Sequence, residues 1–160
     1  MGDLLFYILT ALVTLSQAVV LVVLMYYYFV SIFGWQKIEE EKDLTPTKKF
    51  ALITAAHNEE AVIRYHIESL KMINYPKDMY DIYIIADNCT DTTAEIARQE
   101  GVNVFERFSP KRGKGFALEW MFNELFKMDK EYDAVCLFDA DNVVSSNFLL
   151  EMGAKLKQGF

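Results

Sequence analysis

Apolar and polar positions divide this chain into two unlike parts. From residue 4 to 33 nearly every position is apolar, and no charge occurs between Asp3 and Lys37. From residue 50 onward, short apolar runs alternate with stretches whose apolar residues recur every three or four positions. A bilayer core about 30 Å thick needs roughly 20 helical residues, so the first pattern predicts a membrane-spanning helix within segment 1–36. The run is too long for a signal-peptide core, and it has neither a basic residue ahead of it nor a small-x-small cleavage site. Tyr26, Tyr27, Tyr28 and Trp35 suit a headgroup boundary, where amphipathic rings collect, or packing on neighbouring helices. Thr10, Thr14, Ser16 and Gln17 predict hydrogen bonds within the helix, with contact to another span as the alternative.

Residues 37–49 are charged, carry Thr45-Pro46-Thr47 near their end, and read as a linker. The pattern then predicts strand 50–56 and helix 59–72, whose Ile63, Ile67 and Leu70 share one face before Asn74-Tyr75-Pro76 stops it. Strand 82–86 and helix 91–100 follow, the helix ended by Gly101. Next come strand 102–106 and helix 114–128, with a broad apolar side of Phe116, Ala117, Trp120, Met121, Leu125 and Phe126. Strand 134–138 and helix 145–156 complete the series. Strands alternating with helices predict an α/β fold over 50–160: a mainly parallel sheet with helices on both faces.

Composition sharpens this division. The chain is 52% apolar, and setting the span aside leaves about 125 residues, enough for an ordinary core. That remainder holds sixteen basic and twenty-two acidic residues, a net −6, which argues against non-specific nucleic-acid binding because that needs a basic face. Lys37, Lys42, Lys48 and Lys49 follow the span, and none precedes it. The positive-inside rule therefore predicts a single-pass membrane protein with its carboxyl-terminal domain in the cytoplasm. Cys89 and Cys136 lack metal-ligand spacing, suit a reducing compartment as free thiols, and Cys136 reads as a small core residue.

In open parallel sheets, ligands bind outside the carboxyl ends of the strands. That rule selects His57-Asn58-Glu59-Glu60, Asp87-Asn88-Cys89-Thr90-Asp91 and Asp139-Ala140-Asp141. Two carboxylates one residue apart at a strand exit need a cation, donors or water. A hard divalent cation such as Mg²⁺ or Mn²⁺ meets that need, and a solvated acidic turn is the alternative. Asn58 with Glu59 and Glu60 also fits a helix cap, and His57 a hydrogen-bonded turn. His66, mid-helix, carries no functional expectation, and Asp91 reads as a cap for the next helix. Asp87 can accept from a uracil ring N–H or a ribose hydroxyl. The basic turn Lys111-Arg112-Gly113-Lys114-Gly115 before a helix suits a phosphate-bearing ligand, although it is not a P-loop.

Four runs in order carry a resemblance: Ile53–Glu60, Ile84–Thr93, Arg112–Leu118 and Asp139-Ala140-Asp141. Together they resemble the family-2 glycosyltransferases from about Phe50 to the end. With the span, the chain is most similar to membrane-bound polysaccharide synthases such as the cellulose, hyaluronan and poly-N-acetylglucosamine enzymes. The resemblance implies a GT-A fold, Rossmann-like, that binds a nucleotide-sugar, usually a UDP-sugar, and transfers the sugar to a glycan or lipid acceptor. It implies that Ala55 and Glu59 line the nucleoside pocket, that Asp87 contacts the base, and that Lys114 lies near the diphosphate. Asp139 would reach the ribose or sugar side. Asp141, with Asp139 as a second ligand, would hold Mg²⁺ or Mn²⁺.

Departures from the family pattern are Ala86-Asp87 where a double Asp is common, and Asn88-Cys89 where Gly-Ser is common. In the family the catalytic base and a Q-x-x-R-W-type motif follow the D-x-D by many residues, whereas 19 residues follow Asp141 here. The expectation is a donor-binding half, with the base beyond Phe160 and the acceptor half missing or supplied by a partner chain. Two rival readings are a nucleotide-sugar-binding fragment or subunit that turns nothing over, and a haloacid-dehalogenase-like phosphatase. Asp139-Ala140-Asp141-Asn142-Val143 fits the latter's nucleophile motif, but on the last strand rather than the first.

Overall fold

A computed structural model describes residues 2–34 and 42–159. The chain divides into two units, Met1–Glu41 and Lys42–Phe160. The first is helix α1 (Gly2–Gly34), 33 residues with no side chain buried. At 1.5 Å per residue it is about 50 Å long, so its length and composition suffice to cross a bilayer. Thr10 Oγ1 donates to Phe6 O at 2.9 Å, Thr14 Oγ1 to Thr10 O at 3.0 Å, and Ser16 Oγ to Val13 O at 2.8 Å. These hydroxyls thus bond within the helix, the first of the two alternatives. Trp35, Lys37 and the rest of 35–41 lie outside the described residues.

The second unit is a four-stranded parallel sheet in the order β3-β2-β1-β4. Its strands are β1 (Phe50–Ala56), β2 (Tyr80–Asp87), β3 (Asn103–Arg107) and β4 (Ala134–Asp139). Helices α2 (Ile63–Lys71), α3 (Thr93–Gln99), α4 (Lys114–Leu125) and α5 (Phe148–Lys157) connect and cover them. Side chains alternate across a strand, and the two cores follow that parity. Phe50, Leu52, Ile82 and Ile84 meet Ile63, Ile67 and Leu70 of α2, Ala97 of α3 and Leu149 of α5 on one face. Ala51, Ile53, Tyr83 and Ile85 meet Ala117, Met121 and Leu125 of α4 on the other. Both faces are covered, as the apolar runs predict.

Several boundaries differ from the sequence expectation. Helix α2 begins at Ile63, not 59: residues 60–62 form a turn in which the amides of Val62 and Ile63 both donate to Glu59 O. Helix α4 stops at Leu125, and its apolar side is narrower than expected: Phe116 and Phe126 are exposed, while Trp120 packs edge-on against Phe105 with ring centroids 6.3 Å apart. Residues 42–49, expected as linker, are held against the domain. Lys157 Nζ donates to Asp43 Oδ2 at 2.8 Å and to Thr45 O at 2.6 Å, and Tyr75 Oη donates to Lys48 O at 2.8 Å. Strands β2 and β4 run one residue further than expected at their carboxyl ends, so Asp87 and Asp139 are the last strand residues rather than loop residues.

Candidate functional site

Because all four strands run in parallel, their carboxyl ends share one edge. A cleft of about 280 Å³ opens there, lined by Ala55 and Ala56 of β1 and His57 just beyond it, by Asp87 at the end of β2 and Asn88 just beyond it, and by Arg112, Gly113, Lys114 and Ala117 from the basic turn and α4. Ala55, Asp87 and Lys114 thus line one cleft. Glu59 does not line this cleft. The left-handed turn at Asn58 carries the chain towards α3, where the Glu59 amide donates to Thr93 Oγ1 at 2.8 Å. His57 Nδ1 lies 2.6 Å from Asp87 O, which makes it a hydrogen-bonded turn residue on the cleft wall.

Asp87, on the cleft wall, belongs to a buried ion pair. Arg107 Nη1 lies 2.5 Å from Asp87 Oδ1, and the two side chains are 8% and 10% exposed. Arg107 Nη2 also donates to Lys111 O at 2.9 Å, so one guanidinium joins the end of β2 to the basic turn. Arg107 was not among the residues selected from sequence. Applying the strand-end rule to the third strand as well as the others would have found it.

Two asparagines close the ends of β1 and β2 in the same way. Asn58 and Asn88 have φ 56° and 52°, a left-handed conformation that Asn tolerates better than most residues. Asn58 Oδ1 accepts from Thr90 N at 2.8 Å, and Asn88 Oδ1 accepts from Ser109 N at 2.9 Å. Each loop is thereby fastened to the next. Asn58 is thus no helix cap, contrary to one expectation. Asp91 is not the cap either: the N-cap of α3 is Thr92, and Asp91, one residue earlier, accepts the amide of Thr93 on Oδ1 at 3.0 Å. Cys89 sits among these loops, and burial pushes its thiol pKa upward. Burial raises that of Cys136 to about 11, in keeping with a core thiol.

Asp139 pairs with Ala55 in the β1–β4 register, which sets it beside the cleft. Its carboxylate forms an ion pair with Lys114 Nζ. Asp141 is exposed, and its Oδ1 accepts from Asn142 Nδ2 at 3.1 Å. Among the described residues no group of three or more His, Cys, Asp or Glu side chains gathers to hold a metal. Two exposed carboxylates do suit Mg²⁺ or Mn²⁺, which take one or two such ligands and fill their shell with phosphate oxygens and water. Gly113 opens α4 with φ 117°, and its carbonyl accepts the amides of Phe116 and Ala117.

Residues 46–158 match the family described as "Glycosyltransferase like family 2". The chain is 28% identical over 157 residues to "Probable glycosyltransferase YdaM" of Bacillus subtilis (strain 168), covering 89% of this chain and 34% of that protein. It is 34% identical over 108 residues to "Beta-monoglucosyldiacylglycerol synthase" of Nostoc sp., covering 64% of this chain and 22% of that one. The chain thus spans about a third of the length of the first relative and about a fifth of the second. Among solved structures, the mannosyltransferase PcManGT from Pyrobaculum calidifontis, in complex with GDP-Man and Mn²⁺, aligns with a TM-score of 0.68 at 19% identity. That alignment covers 83% of this chain and 39% of the other, and it shows that the sheet has the GT-A fold.

Proposed function

The chain belongs to glycosyltransferase-like family 2, and from that premise we propose that the cleft binds a nucleotide-sugar of the UDP-sugar class. The sugar would pass to a glycan or lipid acceptor, with a divalent cation assisting. The observation that carries this reading is the convergence of Asp87, Lys114 and the D-x-D on one sheet edge. Asp87 offers a carboxylate at the cleft wall to a base N–H or a ribose hydroxyl. Lys114 and Arg112, with the amino terminus of the 12-residue α4, favour a diphosphate. Asp141 and Asp139 would hold Mg²⁺ or Mn²⁺, which acts as a Lewis acid on the leaving nucleoside diphosphate. Lys114 pairs with Asp139, so one ammonium joins the basic turn to the acidic one. The structural neighbour from Pyrobaculum calidifontis, recorded with GDP-Man and Mn²⁺, supports a nucleotide-sugar donor and the cation.

The test is calorimetric titration of UDP, and of GDP for comparison, into the full chain in detergent micelles with Mn²⁺ or with EDTA. Tighter binding of UDP with Mn²⁺ is the expected result. Preference for GDP would move the reading to a guanosine donor, and binding of neither would overturn it. The apolar α1 and the lysines that follow it support a membrane location with the domain on the cytoplasmic side.

A further inference from the structure

Helix α2 presents two buried polar side chains to the back of the D-x-D turn. His66 is 1% exposed, and its ring bridges two elements. Nδ1 lies 2.7 Å from the carbonyl oxygen of Asn142, and Nε2 lies 2.7 Å from Thr54 Oγ1 on β1. A carbonyl only accepts, so Nδ1 carries the proton and Nε2 accepts from the threonine hydroxyl. Ser69, one turn along α2, accepts the amide of Val144 at 3.1 Å while donating to His66 O at 2.7 Å. The backbone just beyond Asp141 is therefore gripped at two points, with the exposed Val143 between them.

Asn142 transmits that grip to the acidic pair. Its backbone carbonyl is held by His66, and its side chain reaches both aspartates. Nδ2 donates to Asp141 Oδ1 at 3.1 Å, and Oδ1 accepts from Asp139 N at 3.3 Å. Residues 142–145 have neither helix nor strand to fix them. We propose that His66 and Ser69 are positioning residues that set the D-x-D turn, so that the Asp141 carboxylate is held ready for the cation. Neither touches donor or cation. The inference rests on the reading of Asp141 as a metal ligand.

The test compares UDP affinity with Mn²⁺ and with EDTA in the full chain and three variants. An Asn side chain places its amide near the Nδ1 position and keeps the donor to Asn142 O, whereas Gln places it near Nε2. Losing one hydrogen bond to the turn, from His66 Nδ1 to Asn142 O in His66→Gln and from Val144 N to Ser69 Oγ in Ser69→Ala, should reduce the Mn²⁺-dependent gain in affinity about tenfold. His66→Asn should stay within about threefold of the parent, and every form should bind UDP alike in EDTA. An unchanged gain in His66→Gln and Ser69→Ala overturns the proposal, as does equal loss in His66→Asn and His66→Gln, which would mark a packing effect. If His66→Gln does not fold, Ser69→Ala decides. A parent chain that binds UDP with no Mn²⁺-dependent gain would defeat the reading of Asp141 as a metal ligand, and the proposal with it, while a parent that binds no UDP would defeat the donor-site reading.

Discussion

Asp87 and Arg107 face each other as the last rung of the β2–β3 ladder, and Arg107 Nη1 sits 2.5 Å from Asp87 Oδ1 with both side chains nearly sealed from solvent. The same guanidinium holds Lys111 O, so the wall of the cleft and the basic turn share one anchor.

Arg107→Ala leaves Asp87 buried without its counter-charge. Breaking a buried pair from one side costs about 3–5 kcal/mol, so urea unfolding should show a loss of that order. The double change Asp87→Asn with Arg107→Met should cost less than Arg107→Ala alone, because no uncompensated charge remains. Equal losses would mean that the pair contributes little beyond packing.

Asp141→Asn should weaken Mn²⁺-dependent UDP binding by more than about tenfold, since two phosphates in an acidic domain repel without a cation. The side chain is exposed, so the thermal midpoint should stay within about a degree or two. Titration with and without EDTA reads the first outcome, and a melting curve the second.

Burial pushes the His66 pKa below its ordinary 6.5, outweighing the Asn142 carbonyl and the charge of Asp141, which pull it up. A folded value below the unfolded one means that the unfolded chain binds the extra proton. The stability from neutral His66 is therefore complete above about pH 6.5 and is lost as pH falls towards the folded value. Between pH 7 and 5 the parent should lose stability more steeply than His66→Asn. Parallel pH profiles of the two would contradict this.

Gly113 and Gly115 should respond oppositely to alanine. A Cβ at either meets nothing within 4 Å, but Gly113 has φ 117° and Gly115 does not share that conformation. Gly113→Ala should cost about 1–2 kcal/mol in backbone strain, and Gly115→Ala should gain about 0.5–1 kcal/mol within α4. Chemical unfolding of the two variants decides both signs.

Carbonate extraction should leave the protein in the membrane fraction, and protease added to inverted vesicles should cut near Lys48 and Lys49. Release by carbonate, or protection of those lysines, would contradict the span and its orientation respectively.

What the sequence showed and what it hid have separate physical causes. Strand β1 was legible as a continuous apolar run because a parallel strand covered on both faces needs one, and β4 reads the same way although Leu137 stays exposed. That Asp87 and Lys114 share a sheet edge was legible because one ends a strand and the other sits in a basic turn, whereas Ala55 came only through the family resemblance. The start of α2 was not, since Asn suits both a helix cap and a left-handed turn, and only φ separates them. Arg107 was hidden because an arginine after Glu106 reads as solvated until the register sets it against Asp87. Phe126 looked like core by its helical spacing, but α4 ends before it.

The strand order has a consequence for the sequence of events during synthesis. Strand β1 meets β2 through residues 30 positions apart, such as Phe50 and Tyr80, but meets β4 through residues 84 apart, such as Phe50 and Ala134. Short loops close at lower entropic cost than long ones, and a nascent chain emerges from its amino terminus. By that argument β1 through β3 pair before β4 joins the open side of β1. The wall that carries Asp87 then forms before the wall that carries Asp139, and the nascent domain is half a vessel until β4 arrives.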